Sequence, residues 1–254
     1  MKYESGNLNE MLRRALKAQA ELGLGEMIIN PEALAAEETG KEAPTVTNLD
    51  SDSEVVDMFI GTGPTLGPPQ YESLEMHYKD ISDCQLCPLA QSRTNFVYGA
   101  GNPEADLMFV GEAPGRDEDL RGEPFVGRAG QLLDKILVAM KMSREQVYIA
   151  NILKCRPPGN RDPQPDEMEK CFPYLKEQIR LIRPKVLCAL GRIAAQAMLN
   201  TKTPLGRLRG KWHEVEGVPL VVTYHPAALL RFPKYKRDTW EDMQMIMARL
   251  QKDQ

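Results

Sequence analysis

The chain has 254 residues, 42% of them hydrophobic, enough for one large domain or for a medium domain with an appendage. No stretch approaches the roughly 18 consecutive apolar residues of a membrane span, and the start MKYESGNLNEMLRR lacks the apolar run of a secretion signal, so a soluble intracellular protein without membrane association is expected. A formal charge of −4 argues against a nucleic-acid partner only if it is evenly spread, yet residues 31–70 hold eight acids against Lys41 alone, residues 1–30 hold four charges of each sign, and residues 71–254 are left with a balance of +3.

In chain order, residues 7–23 place Leu8, Met11, Leu12, Ala15, Ala18 and Leu22 at helical spacing with Gly23 as a stop, which predicts one amphipathic helix. From about 31 to 69 the sequence is acidic, aperiodic and rich in Ala, Thr, Ser, Gly and Pro, the composition of a linker that buries too little surface to order itself. The chain accordingly divides into an N-terminal extension, residues 1–72, expected to be largely disordered, and a domain, residues 73–254. Beyond Tyr71 the pattern predicts a strand over 106–111, a helix over 130–140, a strand over 147–152, a helix over 166–182, a strand over 185–190, a helix over 193–199, a strand over 219–224 and a closing helix over 237–250. Such alternation predicts an α/β domain of three layers, with a mainly parallel four-stranded sheet flanked by helices. Ligands of such sheets bind beyond the carboxyl ends of the strands, where the segments GEAPG, NILKCRPP and HPA fall.

Five cysteines are present. Cys84 and Cys87 are separated by two residues, a spacing that turns both sulfurs toward one centre, and Cys155 and Cys171 flank a single loop and helix start that could supply a second pair. Cys188 lies within the apolar run KVLCALG and reads as a small buried hydrophobe. Intracellular proteins seldom keep disulfides, so the first four cysteines point to zinc or an iron–sulfur cluster, between which spacing does not choose.

The segment Gly111-Glu-Ala-Pro-Gly115 turns out of a strand into a polar run, and Phe125 stands among small and rigid residues in PFVGRAG. Asn151 closes the strand VYIAN, where an amide either caps a turn or reads a ligand. The loop from Lys154 to Arg161 is stiffened by prolines and carries Lys154, Arg156 and Arg161, which suits phosphate contacts. His225 ends the last strand and opens HPAALLR.

The ordered set CxxC, GEAPGxxED, PFVGxAG, NxxKCRPPxNR and HPA resembles family 4 of the uracil-DNA glycosylase superfamily over about residues 75–250. The resemblance implies a monofunctional DNA-repair glycosylase that hydrolyses the bond between uracil and deoxyribose and leaves an abasic site. It also implies a 4Fe-4S cluster on Cys84, Cys87, Cys155 and Cys171, which resolves the choice that spacing leaves open. In the pocket, Phe125 would stack on uracil, the Asn151 amide would bond its O4 and N3 edge, the backbone of Gly111, Glu112 and Ala113 would line the remaining edge, and His225 would donate to O2 of the leaving base. Where the better-known branch has a water-activating aspartate, this chain has Ala113, so Glu112, Glu118 and Asp119 are the candidate carboxylates, with Glu112 first.

Leu229 and Leu230 would wedge into the vacated base stack, and Arg156, Arg161 and Arg231 would meet phosphates of single- or double-stranded uracil-containing DNA. A monomer in the prokaryotic cytoplasm, at the nucleoid, is expected. Rival readings are a broader-specificity glycosylase, disfavoured by Glu112 where the sister family is apolar, and a DNA-trapping branch, disfavoured because no histidine lies between Asn151 and Cys171. A non-catalytic DNA-binding module of the same fold would have no use for Glu112, Asn151 and His225 together.

Overall fold

The computed structural model describes residues 68–252 together with Lys17 and Ala20. Both isolated positions are helical, whereas the rest of the helix expected over 7–23 and all but the end of the linker lie outside the described residues.

In chain order the elements are α1 (Leu74–Ile81), β1 (Ala100–Gly101), β2 (Leu107–Gly111), α2 (Arg116–Arg121), α3 (Arg128–Ala139), β3 (Tyr148–Asn151), α4 (Pro165–Ile182), β4 (Val186–Leu190), α5 (Arg192–Met198), α6 (Leu205–Leu208), β5 (Trp212–Val215), β6 (Val218–Thr223), α7 (Pro226–Arg231) and α8 (Lys236–Lys252). The strands form one sheet in the order β1-β3-β2-β4-β6-β5. Strands β3, β2, β4 and β6 run parallel, as expected, while β1 and β5 add an antiparallel strand at each edge. The sheet thus has six strands rather than the four expected. The two extra strands gave no apolar run to find: β1 is two residues long, and only the last residue of β5 is buried.

The parallel strands are continuous apolar runs because both of their faces are covered. Period-two alternation sends Leu107, Phe109, Ile149, Cys188 and Val221 to one face, where α3 and α8 add Leu133, Met243 and Ile246. Met108, Val110, Ala150, Leu187 and Val222 go to the other, against Leu175 and Ile179 of α4 and Ala194 and Ala195 of α5. A small third cluster joins Leu89, Leu153, Cys155 and Cys171 at one end of the sheet. Cys188, fully buried in β4, is the core residue its neighbours predicted. Among the described residues no helix is long and apolar enough to cross a membrane.

Candidate active site

The parallel register sets Gly111, the last residue of β2, beside Asn151, the last residue of β3, and the ladder continues one step further through Leu153 N–H to the carbonyl of Glu112 at 3.0 Å. A methyl group on Gly111 would lie 2.3 Å from Oδ1 of Asn151 and 2.6 Å from the Phe125 ring, so the strand end has to be glycine for the amide and the aromatic ring to converge over it. Phe125 is itself held in the left-handed region at φ 54°, with Arg144 Nη1 donating to its carbonyl at 3.0 Å and Nη2 to that of Pro124. Asn151 is 2% exposed, and its Oδ1 is buried with no hydrogen-bond partner.

His225 comes from the end of β6 and caps α7: its Nδ1 accepts from the N–H of Ala227 at 3.1 Å, which puts the ring proton on Nε2. Its ring centroid is 5.4 Å from that of Phe125, with the planes 32° apart. Desolvation pushes the imidazole down to about 4, so it is neutral at neutral pH. Gly191 follows β4 at φ +93° and caps α5, and a methyl group there would come within 2.9 Å of the His225 Cβ. Sequence reasoning missed Gly191, although its place at a strand end was the signal that found the other positions.

Of the three candidate carboxylates, two are already committed. Glu118 accepts from the backbone of Gly115 at 3.1 Å and of Val126 and Gly127 at 3.0 Å each, tying the GEAPG turn to the loop that carries Phe125. Asp119 is buried and accepts from the N–H of Thr94 at 2.8 Å. Glu112 is half-buried and takes no part in those bonds; desolvation, helped by Asp162 and opposed by Arg192, pushes it up to about 7. Ala113 is partly buried and packs against the cysteine cluster.

Cys84, Cys87, Cys155 and Cys171 line one pocket beside Arg93, Phe96 and Tyr174. Donors surround their sulfurs: Arg93 Nη1 reaches Cys155 at 3.4 Å, the N–H of Lys154 reaches Cys171 at 3.3 Å, and the Tyr174 hydroxyl reaches Cys84 at 3.3 Å. Among the described residues no group of three or more potential ligands is drawn together as a single metal ion requires. Burial pushes the Cys171 thiol up to about 12 and raises that of Cys155.

The expected DNA contacts divide. Leu230 is 46% exposed and Arg231 is exposed, but Leu229 is 1% exposed and packed in the core, which corrects its assignment as a wedge. Phe232, 52% exposed just beyond Leu230, is the apolar surface residue that the sequence reading passed over. Arg156 lies on its loop with Nε bonded to Asn160 Oδ1 at 2.7 Å. Arg161 pairs with the buried carboxylate of Glu167 at 2.9 and 2.5 Å at the start of α4, its own side chain staying partly exposed. Lys154, read as another cation for phosphate, is fully buried.

Comparison with known proteins fits this geometry. The family model of the uracil DNA glycosylase superfamily matches residues 98–244. The chain is 49% identical over 183 residues to a type-4 uracil-DNA glycosylase of Archaeoglobus fulgidus, covering 69% of this chain and 92% of that protein. It is 42% identical over 188 residues to the type-4 enzyme of Saccharolobus solfataricus, covering 70% and 87%. It is also 43% identical over 184 residues to that of Sulfurisphaera tokodaii, covering 69% and 84%.

Proposed function

This chain belongs to the uracil DNA glycosylase superfamily, and from that premise we infer that it is a DNA-repair glycosylase that releases uracil from DNA and leaves an abasic site. The observation that carries the pocket assignment is the orphaned Oδ1 of Asn151. A buried acceptor without a donor costs about 1–3 kcal/mol, and the N3–H of uracil supplies that donor. The Asn151 amide N–H donates in turn to uracil O4. Cytosine has a lone pair at N3 and an amino group at C4, so both bonds become repulsions and the base is rejected.

The uridine leaves the base stack to reach the pocket, and Phe125 stacks on its ring. As the glycosidic bond breaks, the electron pair goes to the base and negative charge gathers on O2. The neutral His225 donates from Nε2 to that oxygen, stabilising the anion without transferring its proton. Glu112, ionised above pH 7, orients the water that adds to the sugar carbon and takes up the proton the water loses. On the DNA side, Leu230 and Phe232 face the gap left by the extruded base, with Arg231 and Arg156 near the phosphates. A monomer acting on single- or double-stranded DNA suffices for this scheme.

The four-cysteine pocket fits a 4Fe-4S cluster: four thiols line it and hydrogen-bond donors point at three of the sulfurs. When bound there, the cluster supplies a structural cross-link between the segment holding Cys84 and Cys87, the loop after β3, and α4.

The deciding experiment measures free uracil released from a labelled single-uracil oligonucleotide by the parent and by His225→Ala and Asn151→Ala. Release by the parent with losses of roughly 10²-fold or more in each variant is expected. A parent that binds the oligonucleotide, carries its cluster and releases nothing would make the chain a DNA-binding module.

A further inference from the structure

Lys154 is a cation that the reaction scheme leaves unused. It is 0% exposed. Its Nζ donates to the backbone carbonyl of Asn151 at 3.0 Å and to Oε1 of Gln178 at 2.5 Å, and lies 5.9 Å from the centroid of the Tyr98 ring. Its own N–H donates to Sγ of Cys171 at 3.3 Å, and Cys155 is the next residue in the chain. One side chain therefore grips the strand end that carries the pocket amide while its backbone N–H is bonded to a cysteine of the other pocket.

A buried ammonium needs opposite charge as well as hydrogen-bond acceptors. Its two acceptors, a carbonyl and an amide, are neutral, and no carboxylate is bonded to it among the described residues. The N–H of the same residue is bonded to Cys171 and Cys155 follows it directly, so the side chain that anchors Lys154 also fixes the main chain beside two of the cysteines.

We propose that Lys154 is a positioning residue for uracil recognition, fixing the Asn151 main chain at the end of β3 and coupling that position to the cysteine pocket. The proposal rests on the glycosylase reading and adds a link between the two sites.

The test is a double-mutant cycle on the full holoprotein, Lys154→Met with Asn151→Ala, read as single-turnover uracil release and as inhibition by free uracil. Lys154→Met alone slows release and weakens the inhibition by at least about tenfold, the size of one lost hydrogen bond to a charged group, with oligonucleotide affinity unchanged. In the Asn151→Ala background it adds less than about twofold, because the amide it positions is already gone. Losses that multiply fully, or a loss confined to DNA affinity, overturn the proposal. Iron release to a chelator tests the coupling: it is faster from Lys154→Met, whose main chain beside Cys155 and Cys171 is no longer anchored, and an unchanged rate overturns that half. If Lys154→Met does not fold, Gln178→Leu removes one of the two acceptors and is held to the same non-additivity with Asn151→Ala. A parent that releases no uracil refutes the glycosylase reading instead, so the two failures are distinguishable.

Discussion

Glu112 and His225 are shifted in opposite senses by the same cause, loss of water, and the two shifts predict different pH behaviour. His225 is held neutral down to about 4, so its donor role does not change between pH 5 and 9. Glu112 ionises at about 7, so uracil release in single turnover should fall on the acid side of that value, by close to tenfold per unit, and level off above it. Glu112→Gln should be slow and lack that limb; a limb that survives the substitution would remove Glu112 from the water's side of the reaction. Stability follows the opposite course. The folded state favours the protonated glutamate, so the contribution present below the ordinary value of 4.5 is lost as pH rises through 7. Glu112→Gln should therefore raise Tm by roughly 2–4 °C at pH 8.5 and leave it unchanged at pH 4. At this scale the sequence announced the convergent residues well, because a polar or aromatic side chain at the end of an apolar strand has few structural uses. It misled on Lys154. Its charge suggested phosphate, and what overrides it is tertiary: Gln178, 24 positions along the chain.

The helix α7 shows how one element separates two neighbouring leucines. Six residues long and capped by a histidine, it carried no apolar period and none of the usual Ser, Thr, Asp or Asn cap, so no helix was expected between the strand over 219–224 and the helix over 237–250. Helical rotation turns Leu229 into the core and Leu230 out. Leu229→Ala should lower unfolding free energy by about 2–5 kcal/mol, measured by denaturant melts. Leu230→Ala and Phe232→Ala should leave stability within about 0.5 kcal/mol and instead weaken processing of uracil in duplex DNA more than in single strands. Equal losses on both substrates would mean that these residues do not fill a vacated stack. The long parallel strands and helices were legible because each is an uninterrupted apolar or periodic run, whereas β1 and β5 owe their pairing to neighbours brought up by the fold.

Over the whole molecule, the cysteine pocket joins segments that the sheet does not. Cys84 and Cys87 follow α1, and the Arg93 guanidinium draws the same segment together through the carbonyls of Ser82 and Cys84. Removing iron should free residues 74–96 before it disturbs the sheet, lowering Tm by on the order of 10 °C and opening early protease cuts in that segment. Cuts that instead begin in β2 or β4 would show that the pocket is not a local clamp. The +3 balance of residues 71–254, masked in the full chain by the acidic stretch before them, belongs to this same body.

The bond from Ala227 N–H to His225 Nδ1 makes the imidazole and α7 a single lever. Leu230 stands exposed near its far end while His225 lies beside the Phe125 ring, so one short helix holds both the residue expected to meet DNA and the residue expected to meet the base. Free deoxyuridine engages only the second, and should be cleaved far more slowly than uracil in DNA.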